Sequence, residues 1–386
     1  MTTRSPSPGP LGLIGLLCAL LLAVPAQAGQ LLVDVLDVGQ GDAILLRSPE
    51  GKTVLIDAGT GSTDIVAELQ GRGVTQIDLA VSTHPHADHI GSMEDVLRAM
   101  PVGVFMDNGV PHTSKLYTDL MIAVEELSIP YMEAEAGQQI QFGEEATIDV
   151  LWPTKSKLRG TRSDLNANSV VLRLQHGDNC FLFVGDAEEE TEVRLQVRGL
   201  EGCGALKVAH HGSDHSSTDR FLSKAQPSIA LISVGEHNRY NHPGEETLRR
   251  LERHGSQVYR TDQQGALRVI SNGRTMKVLE GIATVSSSQV PPPWAQAQAQ
   301  AAAAHSQAAA AADEEGPPDH EADQFGAPSS SGYVASKKSE VFHKPDCEWA
   351  QKINPGNQIE YETYEQAVQD GRRPAHCCNP TAEDDQ

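Results

Sequence analysis

Six consecutive residues carry four groups able to bind a metal ion: His84-Pro85-His86-Ala87-Asp88-His89 reads H-x-H-x-D-H. The cluster follows the apolar stretch 78–82, so it stands where a strand gives way to a loop. Metal-dependent hydrolysis needs imidazole and carboxylate donors converging at such a place. His84 and His86 alternate and can grip one ion, leaving Asp88 and His89 for a second. Asp88 is also a candidate to take or relay a proton. Six residues cannot close a two-ion site, so further donors must come from other strand ends. Gly185-Asp186 follows the apolar stretch 181–184, where Asp186 could bridge two ions or cap the helix starting near Glu188. His210-His211-Gly212-Ser213 follows 206–209; His210, first off the strand, is expected to be the ligand and His211 to touch substrate. Asn241-His242-Pro243 adds a histidine before a helix, either a catalytic group or a turn residue. His176 lies in a polar stretch, 176–179, and reads as a turn residue.

Residues 31 to about 285 alternate the strands and helices that must hold these donors. Segments 33–38, 43–47 and 53–56 read as strands separated by Gly, Pro and Asp turns, followed by a helix at 64–69 and the strand 78–82. Helical spacing covers 90–99 and 116–127. The theme repeats with strands at 148–152, 169–174, 181–184, 206–209 and 229–234, and helices at 188–197 and 245–253. Segment 258–270 is expected to close as a hairpin around Gly265. Two β-rich halves with helices outside imply a sandwich of two sheets.

The first 28 residues read as an export signal: Arg4, an apolar run at 11–24, then Ala26-Gln27-Ala28. The run is about 14 residues, short of the ~20 that span a bilayer, and no later stretch is long and apolar enough. The expectation is a mature chain without a membrane span, secreted or periplasmic. Segment 286–332, with its proline and Ala/Gln tracts, reads as a low-complexity linker, and 333–380 as a small second module before an acidic tail at 381–386. Of six cysteines, Cys18 would leave with the signal; an odd five argues against a complete disulfide framework, although a Cys180–Cys203 bridge is open to an exported protein. The formal net charge of −22 excludes a protein that coats DNA by charge alone.

Residues 31–285 resemble the hydrolase domain of ComEC competence proteins, within the metallo-β-lactamase superfamily. The resemblance rests on the H-x-H-x-D-H run, the strand-end Gly185-Asp186, segment 36–43 (LDVGQGDA), segment 206–213 (LKVAHHGS), and Ser233-Val234-Gly235 with Asn241-His242-Pro243. It implies an α/β fold, the αββα metallo-β-lactamase sandwich, two divalent ions, and cleavage of DNA phosphodiesters by an activated hydroxide. It also implies that Asp57 orients the histidine loop from behind the ligands. DNA transport does not carry over, because the membrane channel of ComEC has no counterpart here. Many superfamily members place a histidine ligand where this chain has Asn166-Ala167-Asn168-Ser169. Fewer nitrogen donors suit Mn²⁺ as well as Zn²⁺, so both stay open, and Asn168 or Ser169 becomes a candidate to hydrogen-bond a phosphate oxygen.

The C-terminal stretch resembles the zinc-binding module of Ada DNA-repair proteins, which implies one structural Zn²⁺ held by His343, Cys347, His376 and Cys378. It departs from that pattern at Ala375, where the first closing cysteine would stand, so His376 or Cys377 must substitute. The leading expectation is a phosphodiesterase or nuclease with nucleic acid as substrate. A lactamase, lactonase or thioesterase uses the same metal chemistry, and a non-catalytic DNA-capture protein is the alternative of a different class.

Overall fold

The computed structural model describes residues 29–195, 199–282, 332–337, 339, 341–353 and 357–375. The expected signal at 1–28, nearly all of the linker, the acidic tail, His376 and Cys378 lie outside the described residues.

Fifteen strands of the main body alternate with helices: β1 (Leu31–Val35), β2 (Ile44–Arg47), β3 (Thr53–Ile56), β4 (Ile77–Val81), β5 (Val102–Asp107), β6 (Tyr131–Glu133), β7 (Gln139–Gln141), β8 (Ala146–Trp152), β9 (Val171–His176), β10 (Asn179–Phe183), β11 (Ala205–Lys207), β12 (Ile229–Ile232), β13 (Gln257–Arg260), β14 (Leu267–Ser271) and β15 (Met276–Leu279). They form one sheet in the order β15-β14-β1-β2-β3-β4-β5-β6 and another in the order β13-β12-β11-β10-β9-β8-β7. Side chains alternate across each strand. Val33, Ile44, Leu46 and Val81 of the first sheet therefore meet Ile148, Leu172, Phe181 and Leu231 of the second in one buried core. The alternate residues Leu45, Leu55 and Ala80 pack outward against helices Met93–Ala99 and Lys115–Glu126. On the other side, Leu182, Leu206 and Ile232 pack against helices Asp219–Ala225 and Glu245–Arg253. The result is four layers, helices outside two facing sheets. Among the described residues no helix is long and apolar enough to cross a membrane.

Three expectations need correction. Segment 258–270 is not a hairpin: β13 pairs parallel with β12, and β14 pairs antiparallel with β1, so Thr261–Gln264 carries the chain from one sheet to the other. A glycine between two apolar stretches marks a turn but does not say which partners the strands choose. The hairpin joins β14 to β15, where Asn272 Oδ1 accepts from the amides of Arg274 and Thr275. The helix expected at 90–99 is two, Ala87–Ile90 and Met93–Ala99. The break falls at Ser92 (φ −110°), and Gly91 beside it lets the Thr60 backbone pack close, since a Cβ there would lie 2.2 Å from it. His176 is not a solvated turn residue; it ends β9, fully buried, with Nδ1 2.8 Å from Ser271 Oγ.

Cys180 and Cys203 form a disulfide between β10 and the segment entering β11. The C-terminal module is a small sheet in the order Gln358–Tyr361, Tyr333–Ser336, Val341–His343, Arg373–Pro374, with Tyr333, Phe342 and Tyr364 in edge-to-face contact. It does not hang free on its linker. Trp349 meets Tyr131 edge-on at 5.2 Å, and the buried His343 Nε2 lies 2.5 Å from Glu125 Oε1.

Candidate metal centre

Parallel pairing decides where the donors go. β3 and β4 run side by side in one sheet, and β10, β11 and β12 in the other. Their C-terminal ends release Asp57, His84, Asp186, His210–His211 and Ser233 at the same edge of the sandwich. Gly41 (φ +140) lets the loop after β1 lie on the histidine cluster: a Cβ there would fall 2.2 Å from the Asp88 carbonyl oxygen, which accepts from the Asp42 amide.

Two groups of donors share Asp186: His84, His86 and Asp186, and Asp88, His89, Asp186 and His211. His84 Nε2 is 2.9 Å from His86 Nδ1 and 3.8 Å from Asp186 Oδ2. His89 Nε2 is 3.3 Å from Asp186 Oδ1, and His211 Nε2 is 3.3 Å from Asp88 Oδ2. His89 Nε2, His211 Nε2 and Asp186 Oδ1 are buried without a hydrogen-bond partner. An unpaired buried polar atom is costly. Three of them converging on one point, with two imidazole nitrogens facing each other beside them, are what a pair of divalent cations would satisfy.

A surrounding set of groups aims these donors. Asp57 Oδ2 lies 2.8 Å from His89 Nδ1, and its carboxylate accepts from the amide and hydroxyl of Thr83. With Nδ1 held by Asp57, the His89 ring turns its Nε2 toward Asp186. Ser169 Oγ accepts from the Asp186 amide at 3.2 Å and stands 3.3 Å from His84 Nδ1. His211 Nδ1 donates to the Ser233 carbonyl at 3.0 Å. It also faces Asp42 at 3.3 Å, whose other oxygen pairs with the buried Lys207 ammonium at 2.8 Å.

Burial works against the charge of Asp42, yet the Lys207 ammonium and the His211 imidazole bring its carboxyl down to about 2. Burial likewise opposes the charge of Asp186, but the imidazoles of His89, His211 and His210 hold it well below the usual carboxylate range. Both stay anionic at neutral pH.

His210 and His211 exchange the places expected of them. Both have left-handed backbone, φ 50° and 52°, a conformation that costs a non-glycine residue about 1 kcal/mol or more. The double turn sends His211 into the buried group. His210, a quarter exposed, points its Nδ1 at Glu188 Oε1, 3.4 Å away, and its Nε2 at Asp186 Oδ2, 3.6 Å away. First off the strand is therefore not deepest in the site. Asn168 is not aimed at the cleft: Oδ1 accepts from the Leu158 amide and Nδ2 donates to the carbonyls of Leu158 and Asp164, so its amide is used in folding the 158–168 loop. His242, half-buried, sits edge-on to His210 at 5.5 Å. Burial, then the neighbouring His210 and His211, lower it to about 4.

Asp42, Lys207 and Glu188 were not singled out from sequence. One signal was there: Lys207 is a lone cation in the apolar run Ala205-Leu206-Lys207-Val208-Ala209, which only a buried partner explains.

Residues 36–154 match the sequence model of the Metallo-beta-lactamase superfamily. The chain carries a metallo-β-lactamase domain. The domain is 31% identical over 269 residues to ComE operon protein 3 of Bacillus subtilis, covering 64% of this chain and 34% of that protein. It is 31% identical over 240 residues to competence protein ComA of Neisseria gonorrhoeae, covering 61% and 31%. The chain thus spans about a third of the length of these curated relatives. Among solved structures, the metallo hydrolase Igni18 of Ignicoccus hospitalis superposes with a TM-score of 0.42 at 16% identity, covering 61% of this chain and 98% of that one.

In the C-terminal module, His343 Nδ1 and Cys347 Sγ lie 3.5 Å apart. These are two of the four expected zinc donors; the other two, His376 and Cys378, lie outside the described residues.

Proposed function

We propose that the metallo-β-lactamase domain is an exported two-metal phosphodiesterase that cuts DNA. One observation carries the reading: two donor groups share the buried Asp186, and their unpartnered nitrogens and oxygen converge. His84, His86 and Asp186 would hold one divalent ion, Zn²⁺ or Mn²⁺, and Asp88, His89, Asp186 and His211 the other. Bound there, the pair would supply an activated water and neutralise charge on a phosphodiester.

The chain's own residues do the rest. Asp57, Ser169 and the Asp42–Lys207 pair keep the donors aimed. Asp88, about a quarter exposed, stands at the mouth, where its free oxygen can take a proton. His210, steadied by Glu188, and His242 line the side open to substrate. The competence-related relatives support DNA as that substrate. The export reading rests on residues 1–28. In the C-terminal module, His343 Nδ1, Cys347, His376 and Cys378 would hold a structural Zn²⁺.

The test is metal-reconstituted protein offered single- and double-stranded DNA, RNA, a lactam and a lactone. DNA should be cut under Mn²⁺ or Zn²⁺, and Asp88→Ala should lower turnover at least 100-fold with the fold retained by circular dichroism. Brisk opening of the lactam with every nucleic acid left intact would sink the substrate reading and favour the lactamase-type alternative.

A further inference from the structure

Among the described phenylalanines, tryptophans and tyrosines, Tyr240 alone is exposed, 49% open to solvent. It stands two ring contacts from His210, the neighbour of the donor groups: its ring lies 5.8 Å from His242, which meets His210 at 5.5 Å, and His210 in turn lies 6.2 Å from the donor His211. The exposed Arg239 covers part of it, with the guanidinium carbon 5.0 Å from the ring centre and Nη2 donating to the phenol oxygen at 2.9 Å. The loop beneath is rigidly tied. Asn238 Oδ1 accepts from the amides of Tyr240 and His242, and its Nδ2 donates to the carbonyls of Gly235 and His242. A large apolar ring held in water by a loop with every Asn238 bond satisfied contributes nothing to the core. It is pre-organised to meet something outside.

We propose that Tyr240, backed by Arg239, is a stacking platform for an unpaired base next to the scissile phosphodiester, so that the domain selects single-stranded nucleic acid. The inference rests on the phosphodiesterase reading and gives it a substrate class. Stacking on an aromatic ring is available to an unpaired base and closed to one within a duplex, and is worth about 1–3 kcal/mol per base. It needs no excess of positive charge, which suits a chain of net charge −22. Arg239, charged and exposed, stands where it can meet a backbone phosphate beside the stacked base.

The experiment uses the full-length protein and a fluorescent single-stranded oligothymidylate in which one abasic unit is walked along the strand. Cleavage gives KM and kcat, and anisotropy gives binding. An abasic unit at one position beside the cut should raise KM for the native protein about 5- to 150-fold. Tyr240→Ala should show the same loss on the intact strand and no further sensitivity to the abasic unit, with KM moving more than kcat. Tyr240→Phe, which keeps the ring, should restore the position dependence. A blunt duplex of the same length should compete poorly. If the strand is cut but Tyr240→Ala keeps native KM and native abasic sensitivity, or if duplex and single strand have equal KM, the platform is overturned. Tyr240-dependent binding without cleavage would support the platform and fault the phosphodiesterase reading instead. Neither binding nor cleavage would overturn both.

Discussion

His210 and His211 share a strand end, a left-handed backbone and an approach to Asp186, yet their remaining carboxylate neighbours differ. His211 is buried between Asp88 and Asp42, while His210 is a quarter exposed against Glu188. Removing His211 deletes a donor from a group of four; removing His210 deletes a neighbour of that group. His211→Ala should therefore lower metal content in the main domain to about one ion per chain. His210→Ala should keep both ions and lose turnover. Elemental analysis of chelator-free protein separates the two, and equal metal loss in both variants would put His210 back among the ligands. Asp57 belongs to the same scale. Its link to His89 Nδ1 fixes the ring, and losing such a partner typically weakens metal affinity about 10- to 100-fold.

At the scale of elements, the site is braced by an ion pair between the sheets. Asp42 leaves the loop between β1 and β2 of one sheet, and Lys207 ends β11 of the other; both are fully buried, 2.8 Å apart. Such a pair adds little net stability against an apolar substitute, but breaking it leaves a charge buried. Lys207→Met should destabilise the domain by about 3–5 kcal/mol, read as a lower urea midpoint. Asp42→Asn combined with Lys207→Met should recover part of the loss, because no lone charge remains. No recovery in the double variant would mean that Lys207 acts by packing rather than by pairing.

The whole molecule pairs a catalytic-type sandwich with a small module lodged on its outer helix. The module rests on Glu125 and Tyr131, not on the donors of the metal centre, every one of which precedes residue 250. Truncation after about residue 285 should therefore keep two-ion binding and turnover of a short substrate. It should also uncover the Tyr131 face and make the protein more prone to aggregate. Kinetics on a short oligonucleotide and light scattering check both parts. Loss of short-substrate turnover in a still-folded truncated protein would show that the module contributes to catalysis.

The sequence by itself determined the layered fold and the types of the candidate donors, for a local reason. H-x-H-x-D-H packs four donors into one strand end, and alternating apolar stretches of strand and helix length leave few ways to bury them. Gly185-Asp186 and His210-His211 were legible as donors because each follows an apolar strand. Only the tertiary structure decided which histidine faces inward, since two left-handed residues in succession turn His211, rather than the first residue off the strand, into the buried group. It alone decided the partners of β13 and β14, because which sheet each strand joins is set by packing outside the segment itself. The bond that buries His176 against Ser271, the bonds that occupy the Asn168 amide and the seat of Lys207 beside Asp42 were hidden for the same reason. A polar side chain's partner is chosen by what the fold brings within 3 Å or so, and no pattern within the segment records it.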